Sequence, residues 1–126
     1  MAPEMSDATI LRTPGNARMS KMVRFGDLLF LAGQTSSGQA QARSIEEQCL
    51  EAFSRIDALL KQANSDKRNL LSVTIYLKDM SDFDRMNAVW QQWVDPDHLP
   101  ARSTVQTTLG LPELLVELSV TAAVQN

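Results

Sequence analysis

Two charged residues near the end of the chain, Arg102 and Glu117, are of the types that could bind a small carboxylate and activate a water molecule. A planar guanidinium holds a carboxylate through two parallel hydrogen bonds, which lysine cannot do. A glutamate that a nearby arginine keeps ionised can orient or deprotonate a water molecule. The alternative is a surface or interface salt bridge of small net worth. Sequence spacing alone does not choose between the two interpretations.

The strands that carry these residues follow from alternation of apolar and polar residues. Residues 114–124 predict a strand with one buried face: Val116, Leu118, Val120 and Ala122. Glu117 then lies on the other face. In the preceding strand we expect Ser103 and Val105 to point toward the helices, leaving Arg102, Thr104 and Gln106 opposite. Antiparallel pairing around the turn predicts position 104 opposite 117 and position 102 opposite 119. Arg102 and Glu117 would then be diagonal neighbours, roughly 7–8 Å apart.

The elements that position these strands include two amphipathic helices. Ser44 and Glu47 form a capping box, and apolar residues recur at helical spacing up to about Ala63. Ser81 or Asp82 can cap a second helix, which ends near Asp95 because proline disfavours helical geometry in the residue before it. The order β-β-β-α-β-α-β-β predicts an α+β fold, a mixed sheet with both helices packed on one face. The other face is solvated or covered, most economically by an oligomer.

Length and composition favour a single domain. The chain has 126 residues, of which we expect 1–8 to be a flexible leader and 9–126 one domain. The net charge is −3, without a basic stripe, which argues against a nucleic-acid partner. The start of the chain does not resemble a signal peptide, and no apolar run could cross a membrane. We therefore expect a cytoplasmic protein without a membrane partner.

Other catalytic arrangements find little support. Cys49 is the only cysteine, so an intrachain disulfide is impossible, and it lies on the apolar stripe of the first helix, where inert packing is expected. His98 is the only histidine and lies in a loop between two prolines. A metal site has no cluster of ligands to draw on. Nucleotide-binding motifs are absent from the sequence, so we expect neither a metal nor a cofactor.

Three stretches resemble the Rid/YjgF family of small trimeric proteins. They are Phe-Leu-Ala-Gly-Gln at 30–34, Tyr-Leu-Lys-Asp-Met at 76–80 continuing to Trp90, and Pro-Ala-Arg-Ser-Thr-Val at 100–105 followed by Glu117. The resemblance implies a fold like that of bacterial chorismate mutase and a homotrimer with binding clefts between subunits. It also implies hydrolysis of reactive enamines and imines, such as 2-aminoacrylate, to 2-oxo acids and ammonia. A deaminase for 2-iminobutanoate or 2-iminopropanoate is the corresponding enzyme.

The resemblance also assigns roles to individual residues. Arg102 matches the arginine that grips the substrate carboxylate, and Glu117 the glutamate associated with the attacking water. Gly33 matches a glycine whose backbone approaches the ligand, and Asn87 an asparagine near the cleft. Thr104 stands where many members have a cysteine, a position whose backbone helps to hold the ligand or a water. A threonine is compatible with this substrate-binding role and argues against thiol chemistry.

One position departs from the family pattern. Met19 stands where many members have a tyrosine that lines the pocket, giving an apolar wall without a hydroxyl. This departure indicates an altered substrate range and a divergent branch. A second hypothesis is a non-catalytic trimeric module that senses small 2-oxo acids, which would need Arg102 but not Glu117. A ribonuclease or translation inhibitor, a label given to some relatives, fits poorly with the net charge of −3.

Overall fold

A computed structural model describes residues 9–125, so the expected flexible leader at 1–8 lies outside the described residues. Six strands form one sheet: β1 (Ile10–Pro14), β2 (Ser20–Phe25), β3 (Leu28–Gln34), β4 (Leu70–Leu77), β5 (Ala101–Gln106) and β6 (Val116–Ala123). Among the described residues, two α-helices accompany the sheet: α1 (Ile45–Gln62) and α2 (Phe83–Trp93). Short 3₁₀ turns at Lys67–Asn69 and Met80–Asp82 lead into β4 and α2. The α+β class and the predicted order of elements are confirmed.

The strands are arranged in the order β1-β2-β3-β6-β4-β5. The pairs β1–β2, β2–β3, β3–β6 and β6–β4 are antiparallel, whereas β4 and β5 are parallel. Each helix is therefore a crossover between strands that run in the same direction, α1 between β3 and β4 and α2 between β4 and β5. Crossovers of one hand place both helices on the same face of the sheet. Within residues 9–125, no other element covers the opposite face, on which Phe30 is 44% exposed.

The hairpin of β2 and β3 turns at Gly26, whose φ of +59° is in the left-handed region that favours glycine. The register pairs Phe25 with Leu28 and Met22 with Leu31. Met22, Leu29 and Leu31 are buried on the helix side of these two strands.

The capping box predicted for α1 is present. The Glu47 backbone N–H donates to Ser44 Oγ at 3.1 Å, and the Ser44 N–H donates to the Glu47 carboxylate at 3.0 Å. The apolar stripe packs against the sheet and α2, and the rings of Phe53 and Trp93 stack at 4.4 Å between centroids. Within residues 9–125, neither helix combines the length and hydrophobicity that crossing a bilayer requires.

The start of α2 differs from the prediction. Asp82 occupies the N-cap position but makes no side-chain capping hydrogen bond. Asp79 instead accepts from the Ser81 backbone N–H at 2.9 Å and caps the 3₁₀ turn that precedes the helix. The tighter turn comes first because it satisfies the orphan donors before α-helical geometry begins.

The predicted pairing of β5 with β6 is wrong. In the described part of the chain, β5 is an edge strand that pairs only with β4, and β6 lies in the interior of the sheet between β3 and β4. Position 104 is therefore not opposite 117, nor position 102 opposite 119. The connection 107–115 is long enough for the chain to cross β4 before β6 begins, so it does not act as a tight hairpin turn.

A buried side-chain amide on α1 fixes the entry into β6. Gln48 is 2% exposed. Its Nε2 donates to the Glu113 carbonyl at 3.0 Å, and its Oε1 accepts from the Leu115 N–H at 2.8 Å. From the other side, Lys78 Nζ donates to the Pro112 carbonyl at 2.7 Å. The segment immediately before Glu117 is thus held from two directions.

Replacing Gln48 with leucine should destabilise the protein by about 1–3 kcal/mol, because two backbone polar groups would lose their partners in a buried setting. Thermal or urea unfolding measures the change. The matched control is Gln91→Leu on the exposed side of α2, which should shift the free energy of unfolding by less than about 0.5 kcal/mol. Equal effects of the two substitutions would contradict this role of Gln48.

Candidate functional site

Glu117 lies on the open face of the sheet, on the strand next to β3. The predicted alternation of β6 is confirmed, because Val116, Leu118, Val120 and Ala122 are buried on the helix side. The Glu117 carboxylate lies across the α carbon of Gly33. A β carbon placed on Gly33 would collide with Glu117 Oε2 and lie 2.9 Å from its Cδ. The absence of a side chain at position 33 therefore makes the space that the carboxylate occupies.

The carboxylate opens into a shallow polar pocket of about 240 Å³. Strand residues Gly33, Tyr76, Glu117 and Ser119 form its floor, and the loop 107–110 forms its wall. Within residues 9–125, the Glu117 side chain has no hydrogen-bond or ion-pair partner, so its oxygens are available to water or a ligand. The pocket is of a size for a small molecule and a water.

Arg102 is on the other face of the sheet. Its Cζ lies 5.3 Å from the ring centroid of Trp90 and 5.9 Å from that of Phe83, both on α2. Such contacts engage the flat face of a guanidinium and leave the N–H groups at its rim for other partners. Partial burial lowers the pKa of Arg102 from its ordinary value. In the described part of the chain, nothing pairs with this guanidinium through a hydrogen bond or an ion pair.

Two further predicted site residues have unsatisfied polar atoms in the same region. Thr104 follows Arg102 on the same face of β5, and Asn87 lies between Phe83 and Trp90 on one side of α2. Among residues 9–125, Thr104 Oγ1 and Asn87 Oδ1 are both buried without a hydrogen-bond partner. Buried polar atoms are rarely left unpaired in folded proteins. The region between β5 and α2 therefore lacks a polar component in the single chain.

The predicted convergence of Arg102 and Glu117 within one chain is wrong. Arg102 is level with Val73 on β4, and Glu117 is level with Tyr76. Positions 73 and 76 differ by an odd number of residues, so the two side chains leave opposite faces of the sheet. β5 and β6 are two strand spacings apart, roughly 10 Å, and the two residues are offset by three positions along the strands, about 10 Å. The α carbons of Arg102 and Glu117 are therefore about 14 Å apart.

The facing of β5 is the reverse of the prediction. Arg102, Thr104 and Gln106 face the helix side, and Ser103 and Val105 face the open side. Gln106 confirms this orientation, because its Oε1 accepts from the Met80 N–H at 2.6 Å, in the 3₁₀ turn that precedes α2. Polar side chains can occupy the inner face of this edge strand because groups near α2 contact some of them. The aromatic rings of α2 lie against Arg102, and the Met80 N–H donates to Gln106.

Met19 lies in the loop before β2 and is 53% exposed. Within one chain, Met19 lies neither in the Glu117 pocket nor beside the aromatic rings that contact Arg102. Tyr76 is the opposite case, since it lines the Glu117 pocket although the sequence analysis did not single it out. Alternation along β4 could have placed Tyr76 on the open face, but only the register with β6 shows its position opposite Glu117.

The remaining reactive groups contribute little to this site. Burial is the main cause that raises the pKa of Cys49 to about 12, which keeps the thiol protonated at neutral pH. His98 Nδ1 lies 3.4 Å from Asp95 in an exposed turn. Among residues 9–125, no group of histidine, cysteine or acidic side chains has the clustering that a metal ion needs.

The fold and the open polar pocket define a class of small α+β proteins whose sheet carries helices on one side only. The family model described as Endoribonuclease L-PSP matches residues 10–124. The RutC family protein YoaB of Escherichia coli is 38% identical over 116 residues, covering 92% of this chain and 99% of the relative. The chain belongs to this family, the Rid/YjgF family.

Solved structures agree with this assignment. A member of the YjgF protein family from Neisseria meningitidis has a TM-score of 0.90 and 34% identity, covering 94% of this chain and 98% of that one. A protein of the conserved Rid family from Yersinia pestis has a TM-score of 0.81 and 26% identity, covering 90% and 93% of the two chains. The predicted YjgF-like fold is therefore confirmed.

Replacing Gly33 with alanine should displace the Glu117 carboxylate while leaving the fold intact. The end of a flexible side chain can move, and removing a glycine from a strand returns roughly 0.5–1 kcal/mol. A crystal structure of the variant measures the displacement. In a Glu117→Ala background the same substitution should be more stabilising, because the new methyl group no longer meets the carboxylate. Equal changes in both backgrounds would show that the two residues are not coupled.

Proposed function

We propose that the protein hydrolyses small imines and enamines that carry a carboxylate, releasing a 2-oxo acid and ammonia. The observation that carries the proposal is the unpaired Glu117 carboxylate, seated over Gly33 in an open polar pocket. Family membership supports a reaction of this class, since the resemblance implies it.

The proposed reaction needs few catalytic groups. A protonated imine is already electrophilic, so water can add to its carbon without a metal or a covalent nucleophile. Glu117 would accept a proton from that water, an effect worth about 10²- to 10⁴-fold in rate. Arg102 would bind the substrate carboxylate and hold the imine carbon beside the water, which supplies proximity.

Two copies of the chain are needed to bring these groups together. Arg102 projects from an edge strand, and Glu117 from the open face, about 14 Å away. The open face also exposes an apolar patch on neighbouring strands, where Phe25, Leu28 and Phe30 are 39–47% exposed. A contiguous apolar surface of this kind favours association. We therefore place the site in a cleft between subunits, and the family resemblance gives three as their number.

The other predicted residues take places in the same cleft. Thr104 and Asn87 have buried polar atoms without partners beside Arg102, and these fit groups that complete their hydrogen bonds on assembly or substrate binding. Gly33 gives backbone access beside the carboxylate. Met19 keeps the place that the resemblance gives it as an apolar wall, and its side chain is exposed for contact with a second copy. We place the activity in the cytoplasm, whose reducing conditions suit a lone cysteine.

A second candidate is a non-catalytic module that binds small 2-oxo acids. The separation of Arg102 from Glu117 within one chain favours it, because binding requires the guanidinium but not the glutamate. The two candidates differ in turnover: only the hydrolase speeds ammonia release.

The purified protein should accelerate ammonia release from freshly generated 2-aminoacrylate. Arg102→Ala should lower kcat/KM by roughly ten- to a hundredfold, because a charge-assisted bidentate contact worth about 1.5–3 kcal/mol is lost. Arg85→Ala is the matched control, since Arg85 pairs with Glu46 on the exposed surface of α2. Equal rates for the wild type and Arg102→Ala would end the hydrolase proposal. Normal oxo-acid binding by Glu117→Ala, without any turnover by the wild type, would favour the binding module.

Mixing Arg102→Ala and Glu117→Gln subunits should raise the activity above the residual activity of either variant alone. Each variant still supplies the group that the other lacks, and random assembly into a closed ring gives about one site in four both groups. The subunits are unfolded together, refolded and assayed for ammonia release. The control is a mixture of Arg102→Ala with the variant that carries both substitutions. Its activity should not rise above that of Arg102→Ala alone, because no subunit supplies the arginine. A mixture no better than its two components would place both groups in one chain's site.

A further inference from the structure

Tyr76 stands directly opposite Glu117 in the antiparallel pair of β4 and β6. Directly opposite residues have β carbons about 4.5–5.5 Å apart and share a face of the sheet. Both residues line the polar pocket together with Ser119 and the loop 107–110. The two longest polar side chains of the pocket floor are therefore cross-strand neighbours.

The Glu117 carboxylate and the Tyr76 side chain lie over different strands. The Glu117 carboxylate leans toward β3, over Gly33, whereas Tyr76 is on β4, on the other side of β6. In the stretch 9–125 the Tyr76 hydroxyl has no hydrogen-bond partner, and Tyr76 is the only tyrosine of the chain. A small molecule in the pocket would have a carboxylate on one side and a phenol on the other.

The proposed reaction needs a proton donor in addition to a base. When water bonds to the imine carbon, Glu117 takes a proton from it and an amino alcohol forms. The nitrogen leaves readily only after it gains a proton, and the proton on Glu117 is held on the β3 side of the pocket. A phenol is a much stronger acid than the aliphatic hydroxyls of Ser119, Thr107 and Thr108, the other hydroxyl groups that line the pocket.

We propose that Tyr76 is a second catalytic residue, the acid that protonates the departing nitrogen. The inference rests on the proposed hydrolase function. The phenol O–H proton passes to the nitrogen, and the C–N bond breaks with its electron pair leaving on ammonia. The O–H bond of the amino alcohol breaks, and its electron pair forms the second bond of the C=O group. The proton from that bond passes to the phenolate. The proton on Glu117 goes to the released ammonia, which restores both residues.

The test is a comparison of Tyr76→Phe with wild type in ammonia release from 2-aminoacrylate. Removing the hydroxyl should lower kcat by roughly ten- to a hundredfold and leave KM nearly unchanged, because the donor acts on the leaving group and not on the carboxylate. Thr74→Val is the matched control, because this substitution also removes one hydroxyl. Thr74 lies two residues before Tyr76 on the same face of β4 and does not line the pocket. Its kcat should equal that of the wild type. Thermal unfolding of both variants checks that the fold is retained.

The possible results separate the two proposals. An active wild type with unimpaired Tyr76→Phe would overturn the role of Tyr76 and leave the hydrolase function standing. A rise in KM at constant kcat would also overturn it, since the hydroxyl would then be a binding contact. Equal losses in Tyr76→Phe and Thr74→Val would assign the effect to the sheet surface and not to the phenol. A wild type without turnover would overturn the hydrolase function and Tyr76's role together.

Discussion

The placement of β6 between β3 and β4 determines where every group of the proposed site lies. β3 and β4 run in the same direction, so the chain crosses from one to the other through α1. β6, the last strand in the sequence, lies between them. This central position puts Glu117 between Gly33 on one side and Tyr76 on the other. It also leaves β5, which carries Arg102, at the edge of the sheet. A strand inserted elsewhere would separate the carboxylate from both neighbours.

Much of this fold could be predicted from sequence because its signals are local. The capping box at Ser44, the turn at Gly26 and the alternation along β6 each depend on residues a few positions apart. The partner of β5 is not a local property. Alternation tells which residues share a face, but it does not tell which strand lies alongside, and the nine residues 107–115 allow either answer. The error in the facing of β5 has a similar origin, since its polar residues look solvent-facing until the rings of α2 are placed against them.

Keeping Arg102 and Glu117 apart within one chain has a chemical advantage. A guanidinium and a carboxylate in direct contact satisfy each other, and a substrate must then break that pair before it can bind. Here the arginine rests against aromatic rings, a contact that leaves its N–H groups unused, and the glutamate rests over a glycine that offers no donor side chain. Arginine stays charged even when partial burial lowers its pKa, so it retains its attraction for an anion. Both groups thus remain available for a ligand.

In the proposed enzyme this separation makes catalysis a property of the assembly. The apolar patch around Phe30 and the polar pocket around Glu117 share one face of the sheet, so the contact that covers the first also closes the second. Closure would exclude bulk water from the carboxylate and strengthen its electrostatic interactions. The unpaired atoms of Asn87 and Thr104 follow the same logic, because a site completed by a neighbour has unsatisfied groups in the chain considered alone. Substitutions on the apolar patch would therefore act on the reaction through association, although they lie outside the pocket itself.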